Sequence, residues 1–259
     1  MKFFYSASVM GYGFGYDWHK KYNFPNFPRV TRTLTWDKRK GMPFAIFKYG
    51  DTVWNKVSLH NMGFFNWLLD YTFYDNSIYD ISNIIISIAG YDWQIESMVK
   101  YLEESDLNPA GIELNFSCPN VKSFNNIKIP KTKCPLYLKL NCTQDPFEYD
   151  LTNVENIRLN SVPIKFGAVS GKAAKEKNWE WIKKHTNYGL NVAGCSFTKI
   201  DEITDLLRMG CSEIGIGSII MTNPKAVECL GTLSAFMTKD TQWVVENRDV
   251  KCSTINKGD

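Results

Sequence analysis

The chain has 259 residues, 44% of them hydrophobic and 14% aromatic, which is ample for one large core. Its 30 basic and 27 acidic residues leave a net charge of +3, too balanced to argue for a nucleic-acid or membrane surface. Seven cysteines without a CxxC pair or regular spacing argue against a disulfide framework and a zinc site, and for a reducing compartment.

The first β-rich run, FFYSASVM (3–10), leads into GYGFGYDW, whose glycines at Gly11, Gly13 and Gly15 do not have the spacing of a dinucleotide fingerprint. That stretch reads as a flexible loop over a ligand. A second run, RVTRTLT (29–35), is followed over 35–60 by Pro43, Gly50 and little periodicity, the mark of a long insertion. Helical spacing begins with GFFNWLLDYTF. Strands then alternate with helical segments: NIIISIAG (83–90), WQIESMVKYLEESDL, GIELNFSC (111–118), LYLKLN (136–141), NIRLNSV (156–162), KNWEWIKKH, LNVAGC (190–195), DEITDLLRMG, EIGIGSI (213–219) and KAVECLGTLSAF. In DEITDLLRMG, Ile203, Leu206 and Leu207 fall at i, i+3 and i+4, and Gly210 supplies the stop.

Eight strands with helical crossovers in a chain of this length predict an α/β fold, a (β/α)8 TIM barrel, in preference to an open doubly wound sheet. No repeat or linker divides the chain, so residues 1–259 are expected to form a single domain, with a tail from about 239 that leaves the barrel pattern. The start, MKFFYSASVM, is too short an apolar stretch for a signal peptide, and no run of about 18 apolar residues occurs. The expectation is a soluble, cytoplasmic protein, with neither nucleic acid nor a membrane as partner.

In such a barrel the chemistry sits at the C-terminal ends of the strands. Cys118 follows the fourth predicted strand, between Asn115 and Asn120, and the Ser-Cys-Pro-Asn sequence cannot continue that strand. A thiol there is a candidate base or nucleophile, and asparagines offer donors and acceptors to a planar ligand with amides or carboxylates. A lone cysteine is otherwise a small buried hydrophobe. Lys139 is a charge in an apolar strand: inside a barrel its ammonium must face the mouth or meet an anion, such as a reduced flavin, while at an edge it would only be solvated. NVAGCS and GIGSIIM place glycines after the last two strands, where a phosphorylated cofactor is often held. His19, His60 and His185 show no metal spacing, and no metal is expected.

Several stretches together resemble the dihydroorotate dehydrogenases, in particular the soluble class with a cysteine base. ELNFSCPNV matches the family's ELNLSCPNV nearly letter for letter, VTRTLTWDKRKGMP resembles VTKTLTLEPRKGNP, VWNKVSLHNMGFFNWL resembles LLNAIGLQNPGVD, and SASVMGYGFGY resembles PASGTFGYG. The stretch from Gly189 to Pro224 is similar to the family's final two strands, so the likeness spans roughly residues 5–230.

The resemblance implies an FMN enzyme that oxidises dihydroorotate to orotate in pyrimidine biosynthesis, as a homodimer. Cys118 would take the proton at C5 of the substrate while hydride passes from C6 to the flavin. Asn55, Asn115, Asn120, Asn160 and Ser161 would bind substrate. Ala7, Ser8, Arg32, Lys139, Gly171, Gly194, Gly217 and Ser218 would bind FMN, the last three around its phosphate.

Four departures mark the chain as a divergent, shortened member. Arg32 stands where the family has lysine, Val9 and Ser58 replace loop glycines, and Ala193 replaces the first glycine of the phosphate turn, where its methyl would crowd a ligand. The segment from Asn160 to Gly171 lacks the family's longer excursion. Two alternatives follow: an impaired barrel that binds flavin or a pyrimidine without turnover, or an FMN oxidoreductase acting on another dihydropyrimidine.

Overall fold

The computed structural model describes residues 1–42, 45–73, 80–117 and 128–237. Among them the chain forms β1 (Lys2–Tyr5), β2 (Arg29–Val30), β3 (Ile46–Tyr49), β4 (Thr52–Asn55), α1 (Phe64–Phe73), β5 (Ile84–Ile88), α2 (Asp92–Glu104), β6 (Gly111–Asn115), β7 (Leu136–Leu140), β8 (Asn156–Leu159), β9 (Val162–Ile164), β10 (Gly167–Gly171), α3 (Lys172–Asn187), α4 (Glu202–Arg208), β11 (Glu213–Ile216), α5 (Ile219–Thr222), α6 (Pro224–Glu228) and α7 (Leu230–Met237). The expected tail from about 239 lies outside the described residues.

Seven strands pair in parallel in the order β11-β1-β2-β5-β6-β7-β8. The remaining gap is filled by residues 192–194, through single parallel bridges from Val192 to Ile157 and from Gly194 to Ile214. The result is a nearly closed TIM barrel, as the alternation of the sequence predicts. The stretch LNVAGC supplies only these bridges where a full strand was expected.

The strands are buried on both faces, which is why they read as near-continuous apolar runs. Their two faces nevertheless differ in chemistry. Ile84, Ile86 and Ile88 of β5, Ile112 and Leu114 of β6, and Leu136, Leu138 and Leu140 of β7 join one large core with the helices, through Ile95, Met98 and Leu102 of α2 and Ile182 of α3. The alternate positions turn inward. Phe4, Val30, Ile85 and Ala193 form a small second cluster, with Tyr137 packed on it. Above it the interior is polar, holding Ser87, Glu113, Asn115, Lys139 and Arg158.

Two predicted strands end early. The first stops at Tyr5, and Ser8 turns with φ +70°. The second stops at Val30 and forms one further bridge to β5, at Leu34–Ile88, because the Arg32 N–H donates to the Gly11 carbonyl at 2.7 Å instead of to the sheet.

The stretch expected as an aperiodic insertion holds a hairpin, β3–β4, that pairs with β10 and β9 in an antiparallel sheet ordered β3-β4-β10-β9. All four residues of β3 are exposed, so no buried face imposed a period of two on its sequence. The run 156–162, expected as one strand, divides after Leu159 and contributes Val162 to this second sheet. No helix among the described residues is long and apolar enough to cross a membrane.

The wall below the first loop contains a buried histidine. His19 packs against Trp18, Tyr16 and Phe24, and its Nδ1 accepts the Tyr16 N–H at 3.1 Å. Burial, with Arg29 nearby, lowers its pKa from 6.5 to about 4. The unfolded chain therefore binds a proton near pH 6.5 that the folded chain refuses until about pH 4. Stability is full above that range and falls as the pH drops through it. In urea unfolding at a series of pH values, His19→Phe should remove this part of the acid slope.

Candidate functional site

A cavity of about 490 Å³ opens at the C-terminal ends of the strands, within the range of small-molecule and cofactor sites. The barrel supplies its floor. The antiparallel sheet forms one wall, through Asn55, Ile164, Ala168 and Gly171, with Ser161 just before it. The two bodies are tied by the Lys172 N–H, which donates to the Asp51 carbonyl at 2.9 Å, and by Lys48 Nζ, 3.3 Å from the carbonyl of Met221. Gly171, at φ +72°, lies so close to the Asp51 carbonyl that no side chain fits there.

Charge is distributed one-sidedly over this surface. Arg32, Lys56, Lys139 and Lys165 line it, and among the described residues no aspartate or glutamate does. Among the described residues, the four non-glycine residues with left-handed backbone, Ser8, Ser58, Leu59 and Ser196, all belong to the lining. Left-handed conformation costs roughly 1–2 kcal/mol per residue, so the wall holds a shape that its residues would not adopt unaided.

Below the cavity lies a set of four charges. Lys139 Nζ is 3.4 Å from Glu113, Arg158 is 3.7 Å from the other oxygen of Glu113, and Arg158 Nη2 is 3.1 Å from Glu213. The Arg158 guanidinium is also held between the rings of Phe4 and Tyr137, at 3.8 and 3.6 Å from their centroids. Two cations and two carboxylates balance, and Lys139 both meets an anion and reaches the cavity, satisfying the demand that its place in an apolar strand makes.

Glu113 and Arg158 were not foreseen from the sequence. They carry the same signal as Lys139, a charge inside GIELN and NIRLN, and are found by asking of each strand what its inward charge must meet.

Polar side chains continue upward from this layer. Asn115 Nδ2 donates to Thr33 Oγ1 at 2.8 Å, Asn160 Nδ2 to Ser117 Oγ at 2.7 Å, and Asn55 Nδ2 reaches Ser161 Oγ at 3.4 Å. Cys195, also in the lining, is a buried thiol whose pKa is pushed up to about 11 by burial, so it stays protonated. Five cysteines among the described residues, Cys134, Cys142, Cys195, Cys211 and Cys229, are free thiols.

No protein-family model matches the sequence, and no curated protein does. Solved structures do. A ligand-free DHODH of Eimeria tenella superposes with TM-score 0.61 at 12% identity, over 85% of this chain and 80% of its own. A ferulenol complex of DHODH from Eimeria tenella gives 0.63 at 12% identity, over 95% and 84%. The chain has the DHODH fold. At this identity the fold is what is shared.

On this DHODH-like barrel, Ala7, Ser8, Arg32, Asn55, Asn115, Lys139, Asn160, Ser161, Gly171, Gly217 and Ser218 come together around one cavity, although they derive from eight separate stretches of sequence. Cys118 and Asn120 lie outside the described residues; Ser117 is the last described residue before them.

Gly194 does not join the lining. Its N–H donates to the Glu213 carbonyl at 2.8 Å, and a Cβ there would meet Ile214 at 2.8 Å, so it serves the packing of the barrel and its amide is not free for a phosphate. The expected crowding by Ala193 is likewise corrected: its methyl packs inside the barrel with Phe4, Val30 and Ile85. Ser58 keeps φ +55°, the conformation a glycine would favour.

His60 joins the site unforeseen, its Nδ1 accepting the Gly41 N–H at 3.3 Å. His19 and His185 are buried among aromatic rings. Arg158→Ala should cost about 3–5 kcal/mol in urea unfolding, because it leaves Glu113 and Glu213 short of a buried partner.

Proposed function

We propose that this protein is a flavin-dependent oxidoreductase that uses FMN to oxidise dihydroorotate to orotate. The observation that carries the reading is the convergence of eleven of the residues matched to the family on one cavity that, among the described residues, is lined by cations and no carboxylates. The DHODH fold supports it independently.

The cavity suits an anionic, acceptor-rich group. Arg32 lines it with a buried Nε that has no acceptor among the described residues, although its guanidinium lies 5.9 Å from the Tyr12 ring. Gly217 leaves open space, since a Cβ there would meet nothing nearer than Ser6 Oγ at 3.9 Å. Ala7, Ser8, Arg32, Lys139, Gly171, Gly217 and Ser218 would hold FMN, with Gly217 and Ser218 toward its phosphate. FMN, when bound, supplies the acceptor for the hydride leaving C6.

The chain's own residues do the rest. Asn55, Asn115, Asn160 and Ser161, with Asn120, would bind the amides and carboxylate of the substrate. Lys139 and Arg32 place positive charge beside the ligand, where a low-dielectric site strengthens its effect. Cys118 would remove the C5 proton as general base. Its place directly after Ser117 and the Asn115 strand end supports that role.

The purified protein should be yellow, and anaerobic addition of dihydroorotate should bleach its visible absorption. A colourless protein that FMN does not reconstitute would overturn the reading. Cys118→Ser should keep the colour and slow bleaching by about 10²–10⁴-fold, the contribution of a positioned base. Wild type and Cys118→Ser that bind FMN but are equally inert would instead identify a binding protein. Faster bleaching by dihydrouracil than by dihydroorotate would point to another dihydropyrimidine as substrate.

A further inference from the structure

Glu113 accepts more than its two ion pairs. Its Oε1 takes a hydrogen bond from Ser87 Oγ at 2.9 Å. A carboxylate between Lys139 and Arg158 can only accept, so the hydroxyl proton of Ser87 is committed to it. Ser87 Oγ and Thr33 Oγ1 lie 3.0 Å apart, and with the Ser87 proton spent, Thr33 must be the donor. Thr33 Oγ1 is then left as an acceptor, and Asn115 Nδ2 donates to it at 2.8 Å.

The other end of the same carboxamide is equally determined. Asn115 Oδ1 accepts from the Ser117 N–H at 3.1 Å and from Ser117 Oγ at 2.5 Å. An asparagine side chain has two N–H donors and two acceptor lone pairs. Both lone pairs and one N–H of Asn115 are taken within the protein. One N–H remains for the cavity that Asn115 lines.

We propose that Glu113 is a positioning residue: with the Ser117 N–H fixing Asn115 Oδ1, Glu113 acts through Ser87 and Thr33 to hold the other end of the carboxamide, so that it offers the cavity a single N–H and the site selects a ligand with an oxygen acceptor at that point. The inference rests on the pyrimidine-binding reading above and adds which atom of the ligand Asn115 can meet. Without a carboxylate at the end of the chain the two hydroxyls are free to reverse. Thr33 would then turn its proton from Ser87 toward the Asn115 N–H, and because the Ser117 N–H keeps the carboxamide from flipping, the two facing donors would push it out of position. Ser87 is fully buried and does not line the cavity, so it reaches a ligand only through Thr33 and Asn115. A ligand with a donor where the acceptor is expected would leave the Asn115 N–H unpaired, the arrangement that polar sites reject most strongly.

The test compares Ser87→Ala, Thr33→Val and Thr33→Ser with wild type, all saturated with FMN. Orotate binding is measured by calorimetry, and FMN affinity by quenching of flavin fluorescence. Ser87→Ala and Thr33→Val should bind orotate about tenfold more weakly, the effect of one hydrogen bond, while Thr33→Ser stays within about twofold of wild type. FMN affinity should be the same in all four. If Ser87→Ala does not fold, the two Thr33 variants decide. Equal orotate affinity in Thr33→Val and wild type would overturn the proposal. So would Thr33→Ser as weak as Thr33→Val, or a parallel loss of FMN affinity in Thr33→Val, which would mean a general structural role. Wild type that binds FMN but no orotate would overturn the pyrimidine reading and this inference with it.

Discussion

The interior of this barrel is organised around one buried carboxylate. Glu113 meets Lys139 on one side and Arg158 on the other, and Arg158 carries the connection on to Glu213. Taking four charges out of water is expensive, and the cost is offset only where every partner is in place. The arrangement therefore constrains β6, β7, β8 and β11 jointly: a slip of one residue in any of them would turn its charged side chain outward, into the apolar layer beneath the helices. The rings of Phe4 and Tyr137 tighten the constraint by fixing the plane of the Arg158 guanidinium. The asparagines that reach the cavity stand on this layer, so the precision of the site is inherited from the pairing below it.

The barrel was legible in the sequence because parallel strands covered on both faces leave a strong mark. Runs such as NIIISIAG and LYLKL are apolar enough to be recognised singly, and the amphipathic segments between them fix the alternation. The antiparallel sheet left no such mark. Its first strand is exposed along its whole length, and its pairing joins residues near 50 to residues near 170, a contact no local pattern announces. The seventh strand is the reverse case: LNVAGC reads as a full strand, yet it touches its neighbours through two bridges only.

The site was legible where a residue type conflicts with its surroundings, and illegible where the chemistry depends on a partner distant in sequence. Lys139 stood out as a cation in an apolar strand, but the identity of its anion required the fold. Gly194 shows the opposite error: a glycine after a strand suggests a phosphate turn, yet here the bare backbone is needed for close packing against Ile214 and Leu206. His60 carried no spacing signal, because it comes to the cavity from a loop where its ring nitrogen accepts the Gly41 N–H, a contact no local pattern announces.

The order in which the ring is assembled has a bearing on how the chain reaches this state. β1 pairs with β11, so the first strand of the barrel waits for the last of the described strands before its second edge is covered. Arg158 waits too, since Glu213 arrives with that same strand. Until then an unmatched cation and an open edge coexist in a half-built ring, the kind of species prone to mispairing and slow to progress. Closure thus couples neutralisation of the interior to protection of the edge in one late event, and nascent chains of this protein are most vulnerable just before it.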